Sequence, residues 1–132
     1  MSRLRPVALI VSLLVLSSCA GSMAQQNVAI FHDAQRRYTR LMRFSDWEKA
    51  GRYVAPDTRQ VFRSETAALG DLRFSDYEIQ EVEAFGDTAT ALVAYTGWRA
   101  SSPVVVTYVE EQQWELAEGA WVVRPKLEER SP

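Results

Sequence analysis

Side chains able to do chemistry are sparse in this chain. It holds one cysteine, Cys19, and one histidine, His32, among 132 residues. General acid–base catalysis wants a histidine or carboxylate in an apolar setting, because burial moves its pKa into a useful range. His32 follows Phe31 and aligns at helical spacing with Arg36 and Arg43, so it is expected on a solvated polar face. Asp33, Asp46 and Asp76 are available carboxylates, yet Asp46 is better explained as part of a helix start and the others as solvated charges. The alternating apolar set Ala89, Ala91, Val93 and Tyr95 brings no carboxylate with it. There is no Ser/His/Asp set, and one histidine with one cysteine cannot build a zinc site. No glycine-rich phosphate loop is present, so neither metal nor cofactor is expected.

The surroundings of Cys19 are informative in another way. Arg3 and Arg5 precede an apolar run from Val7 to Leu16, which leads into Leu16-Ser17-Ser18-Cys19. A run of ten residues falls short of the ~20 that a membrane-spanning helix needs, so it reads as a processing signal. The order of basic start, apolar stretch and terminal cysteine resembles a bacterial lipoprotein signal peptide. That resemblance implies cleavage before Cys19, a diacylglycerol on its thiol and acylation of its new amino group. It divides the chain into a signal at 1–18 and a lipidated tether at 19–26. It also implies the bacterial cell envelope, on the periplasmic side. Ala20 stands where inner-membrane lipoproteins commonly carry aspartate, so the outer membrane is favoured. A plain secretory signal cut after Ala20 or Ala24 would instead release a soluble domain. A lone structural cysteine is the third alternative.

Charge and periodicity describe the elements downstream. The formal charge of the whole chain is −2, but residues 20–69 carry eight basic and five acidic side chains, while residues 70–132 carry five basic and twelve acidic. Nucleic-acid binding would want a basic face with interleaved aromatics, which the acidic second half opposes. Phe31, Ala34, Tyr38, Leu41 and Met42 recur at spacings of three and four and predict a helix over 27–43, with Asn27 as its cap. Ser45 and Glu48 have the spacing of a capping box, opening a short helix to about Val54 with Trp47 and Ala50 facing inward. A third helix over 57–69 carries Val61, Phe62, Ala68 and Leu69 and ends at Gly70. Strands are predicted at 74–85, 88–99 and 104–116, then at Trp121-Val122-Val123-Arg124. A parity change from Tyr77 and Ile79 to Val82 and Ala84 suggests a bulge near Gln80-Glu81. Pro125 is expected to stop the last strand and leave 125–132 a loose polar tail.

Helices followed by a curved antiparallel meander make an α+β order. Phe44-Ser45-Asp46-Trp47-Glu48-Lys49-Ala50 with Val54-Ala55-Pro56 resembles the early helices of the NTF2-like (ketosteroid isomerase-like, SnoaL-like) superfamily. Val82 to Ala91, and Gln113 to Leu116 with Gly119 to Val123, resemble its strand hairpins. The likeness covers 27–124 and implies a cone-shaped sheet wrapped on helices, often around a cavity. The superfamily includes isomerases and dehydratases, so an enzyme of that kind stands as a third reading, on fold analogy alone.

Two surfaces remain to be explained. Large side chains occur on both faces of the strands, and a core with long strands accounts for many of them. Trp98, Tyr108 and Trp114 are the candidates for a face that docks a protein partner or a second copy, with Glu81, Glu83, Glu110, Glu111 and Glu115 as an acidic rim. Arg36, Arg37, Arg40 and Arg43 form a basic helix face, either simply solvated or in contact with anionic lipid head groups. An extended tether over 20–26 would reach only about 20 Å, which keeps that helix near the bilayer. The expectation is a lipid-anchored, non-catalytic interaction or assembly module. The alternative is a cavity for a small apolar ligand, lined by Trp47, Tyr53, Phe62, Val93 and Tyr95.

Overall fold

The computed structural model describes the backbone of residues 8–130 and the side chains of residues 23–130. Three helices precede four strands: α1 (Ala8–Arg43), α2 (Trp47–Gly51), α3 (Arg59–Ala68), β1 (Leu72–Phe85), β2 (Thr88–Arg99), β3 (Ser102–Ala117) and β4 (Ala120–Arg130). The strands form one antiparallel meander in the order β1-β2-β3-β4, with the helices on its inner face. Helices first and a curved sheet second is the α+β cone that the sequence predicts.

The inner stripe of α1 follows from its spacing. Phe31, Gln35, Tyr38, Thr39 and Met42 are buried, while Arg36, Arg37 and Arg40 face solvent. Arg40 and Arg43 in the last turn complement the negative end of the helix dipole. Helix α1 does not begin at Asn27, which lies in mid-helix with its carbonyl accepting a 3.1 Å bond from Trp121 Nε1. The segment 19–26 is therefore helical rather than extended. Cys19 stands 17 residues before Arg36, about 26 Å along a straight helix. The Cys19 side chain itself lies outside the described side chains. Among the described residues no helix is long and apolar enough to cross a membrane.

The capping of α2 also departs from expectation. Ser45 adopts a positive φ of 57°, and Asp46 takes the cap position, its carboxylate accepting from Lys49 N at 3.3 Å. The chain reverses here because Asp46 N donates to Leu41 O and Ser45 N to Met42 O, closing α1 and leaving Ser45 in the left-handed turn. After α2 the chain touches the sheet edge. Val123 N donates to Tyr53 O at 2.8 Å, and Ala55 N donates to Val123 O at 2.9 Å, so residues 53–55 cover part of β4.

Two register shifts bend β1, one between Phe74 and Asp76 and one between Ile79 and Glu81. The second falls where the parity change placed it. Pro125 does not end β4, which runs to Arg130 and pairs Pro125 with Gln112. An edge strand has only one neighbour, so a residue without an N–H is tolerated there. Inside the cone, aromatic rings fill the space between α1 and the sheet. Phe31 meets Trp121 at 5.1 Å and Trp114 at 5.8 Å, Tyr38 meets Trp114 at 5.6 Å, and Phe74 stacks on Tyr95 at 4.7 Å.

Candidate functional site

Alternation along β3 sends Tyr108, Glu110, Gln112 and Trp114 inward, and all four are buried. Glu110 is thus no part of an acidic rim. It lies under α1 with no exposed surface, and three donors converge on it. Tyr38 Oη donates to Oε2 at 2.7 Å, Tyr95 Oη to Oε1 at 2.9 Å, and Gln112 Nε2 to Oε1 at 2.6 Å. Gln112 extends the network. Its Nε2 also donates to Thr39 Oγ1 at 3.1 Å, while its Oε1 accepts from Gln35 Nε2 at 3.2 Å and from Trp114 Nε1 at 3.1 Å. Gln35 Nε2 donates to Thr39 Oγ1 as well, at 3.1 Å. Among the described residues no buried side-chain polar atom lacks a partner.

The electrostatics follow from burial. Removal from water pushes the Glu110 carboxyl above its ordinary range, opposed by the bonds from Gln112, Tyr38 and Tyr95. Desolvation, then the adjacent Glu110 charge, pushes both phenols, Tyr38 and Tyr95, well above the ordinary tyrosine value. A carboxylate between two tyrosines has the makings of an acid–base group. Here it is encased, with Tyr38, Tyr95 and Val93 each fully buried beside it. The network ties α1 to β3 and specifies how the helix seats on the sheet.

The five residues expected to line one cavity are separated. Val93 and Tyr95 are core. Trp47 and Phe62 line an open cleft of about 550 Å³ between α2 and α3. Tyr53 lies elsewhere, beside Leu41, Arg37, Arg40 and the exposed Phe44. The basic face of α1 is partly paired, Arg37 with Asp33 at 2.9 Å, and Arg43 sits 4.7 Å over the Phe44 ring. His32 is half-buried, its ring 5.1 Å from that of Phe31.

The three residues expected on a docking face divide as well. Tyr108 and Trp114 are 6% and 2% exposed on the inner face, and Trp98 is 44% exposed on the outer one. Parity decides this: Tyr108 pairs across the sheet with the buried Tyr95, whereas Trp98 pairs with Val105, itself 67% exposed. The outer face has a regular layout. Its rows run Asp76-Thr96-Thr107-Arg130, Glu78-Ala94-Val109-Glu128, Glu81-Leu92-Glu111-Lys126 and Glu83-Thr90-Gln113-Arg124. The β1 edge is therefore acidic throughout these rows, and the β4 edge is basic in three of them. The strip on β2 and β3 between those edges is mostly uncharged and ends at Trp98 and Val105. Arg124 is already engaged, with Glu115 and with Asp57 at 3.2 Å.

Comparison with solved structures places the architecture. A ketosteroid isomerase-like protein from Erwinia carotovora atroseptica superposes with a TM-score of 0.65 at 19% identity, over 79% of this chain and 96% of that one. The fold is NTF2-like. An NTF2-like protein of unknown function from Silicibacter pomeroyi matches with a TM-score of 0.53 at 15% identity, over 80% of this chain and 98% of the other. A SEC-C motif-containing protein from Rhodopseudomonas palustris gives 0.58 at 15% identity, covering 74% and 77% of the two chains. No protein-family profile matches the sequence, and no curated protein does. At these identities the NTF2-like likeness is one of fold.

Proposed function

We propose that this NTF2-like chain is a lipid-anchored, non-catalytic module of the bacterial cell envelope that works by docking through the outer face of its sheet. The contrast between the two sheet faces carries the reading. Inside, Glu110 and its partners satisfy one another at no exposure, as structural groups do. Outside, Trp98 and Val105 stand uncovered at the end of a mostly uncharged strip between an acidic and a basic edge.

A second copy of the chain suits that face. A two-fold axis along the strands, between β2 and β3, lays Trp98 against Val105 of the second copy. It also brings Asp76 toward Arg130 of that copy, and Glu81 and Glu83 toward its Lys126 and Arg124. Those two cations are already paired within their own chain, Lys126 with Glu128 and Arg124 with Glu115 and Asp57. Glu78 and Glu128 make the one unfavourable row. An axis across the strands would set the acidic edges on each other. On a curved sheet these edges stand apart and are screened over the Debye length of about 8 Å, so they orient the pair more than they hold it.

Anchoring through Cys19 rests on the Leu16-Ser17-Ser18-Cys19 pattern, and Ala20 favours the outer membrane. The helical path of α1 would then carry its basic face outward from the anchor rather than fold it back onto the bilayer. The test is replacement of Cys19 by alanine, followed by membrane fractionation and intact mass. The reading expects wild-type protein in the membrane with the mass of the acyl groups, and loss of both in the variant. Unchanged retention without lipid mass would overturn it. An enzyme reading draws on the Glu110, Tyr38 and Tyr95 cluster and would require Tyr38 to swing away from Glu110 to admit a substrate.

A further inference from the structure

The cleft between α2 and α3 is not explained by a docking sheet. Its floor is apolar, formed by the half-buried Trp47 ring and the buried Phe62. Gly51 widens it: a Cβ there would stand 3.6 Å from the Phe62 ring, so any side chain at this position would fill the cleft beside Phe62. Around this floor stand three cations, Arg52, Arg59 and Arg63, against one carboxylate, Glu48. Among the described residues none of the three arginines is in an ion pair with a carboxylate. Arg59 is held in place from behind, its Nε donating to Val54 O at 3.1 Å and its Nη2 to Arg52 O at 3.5 Å. A guanidinium fixed by main-chain carbonyls keeps its remaining donors for something else, and the planar fork matches a carboxylate. The cleft volume of about 550 Å³ lies in the range of small-molecule sites.

We infer that this cleft binds a single-chain amphiphile with an anionic head, of the fatty-acid type. The acyl chain lies along the half-buried Trp47 ring and Gly51, over the edge of Phe62, and the carboxylate meets Arg59 with Arg52 and Arg63. Charge selects the head, since three unpaired cations line a site with one acid. The apolar floor selects the tail, since a bare anion would leave it wetted.

The experiment is calorimetric titration of the full chain with dodecanoate below its micelle concentration, beside dodecyltrimethylammonium and acetate. Saturable one-to-one binding of dodecanoate is expected, with the cationic amphiphile weaker by at least about tenfold and acetate silent. Arg52→Ala with Arg63→Ala, both exposed positions, should weaken dodecanoate by about tenfold and leave a neutral dodecyl glycoside unchanged. Gly51→Leu, at a helical position that tolerates a side chain, should abolish binding of every dodecyl ligand. Equal affinity for the cationic amphiphile, binding of acetate alone, or binding untouched by Gly51→Leu would overturn the proposal. None of these outcomes depends on lipidation of Cys19 or on the outer sheet face.

Discussion

Replacing Glu110 by glutamine tests the buried network through its dependence on pH. Burial holds the Glu110 carboxyl above its unfolded value, so the folded chain binds this proton more tightly than the unfolded chain does. The sign follows from linkage: between the unfolded and the folded pKa the native state carries the extra proton, and stability falls as pH rises. The contribution is fully present below the unfolded carboxyl pKa and lost as pH climbs through the folded one. For a single proton the slope in that window is at most about 1.4 kcal/mol per pH unit. Glutamine keeps the shape and cannot ionise, so the stability difference between variant and wild type should shift in favour of the variant as pH rises. A constant offset rides on this, because one of the three donors at Glu110 will face the amide nitrogen, at about 1–3 kcal/mol. The assay is urea unfolding followed by tryptophan fluorescence from pH 4 upward, both proteins in parallel. Subtraction removes the exposed carboxylates Asp57 and Asp71, whose hydrogen bonds to Arg124 and Ser101 lower their pKa values and act with the opposite sign at lower pH. A difference that stays flat with pH, or a wild type that gains on the variant as pH rises, would refute the buried, desolvated Glu110.

Other substitutions probe separate links of the fold by denaturant unfolding. Tyr38→Phe removes one donor to Glu110 and should destabilise by about 1–2 kcal/mol; no change would mean that the bond is not formed. Gly97→Ala would place a Cβ 2.7 Å from the Arg73 carbonyl and 3.0 Å from the Phe74 ring, prising β1 from β2. A loss of about 1–3 kcal/mol is expected, and a neutral result would contradict that close approach. Asp46→Ala should cost about 0.5–1 kcal/mol as a lost helix cap, whereas Ser45→Ala should not show a capping loss.

Much of this fold is legible in the sequence, and what is not has local causes. The inward set Ala89, Ala91, Val93 and Tyr95 follows from strict alternation, and all four are buried. The bulge at Gln80 shows as a change of parity because an inserted residue flips the faces beyond it. The same period of two places Glu110 and Gln112 between Tyr108 and Trp114 on the inner face, and that signal outweighs their polarity once α1 offers Tyr38, Gln35 and Thr39 as partners. Those partners lie more than seventy residues away, so no local pattern announces them. Trp98 is grouped with Tyr108 and Trp114 by chemical type alone, while parity separates it from them. Ser45 and Asp46 are both good caps, and the reversal at the end of α1 decides between them. Pro125 forbids a central strand but not an edge one, and strand order is a tertiary fact.

The central claim, an outer sheet face that docks a second copy, is tested most directly by sedimentation of the Cys19→Ala chain, free of acyl groups, beside the same chain carrying Trp98→Glu. The account predicts a dimer that becomes a monomer with the Trp98 substitution, its circular dichroism unchanged. A monomer throughout, or a dimer that persists with glutamate at position 98, would contradict it.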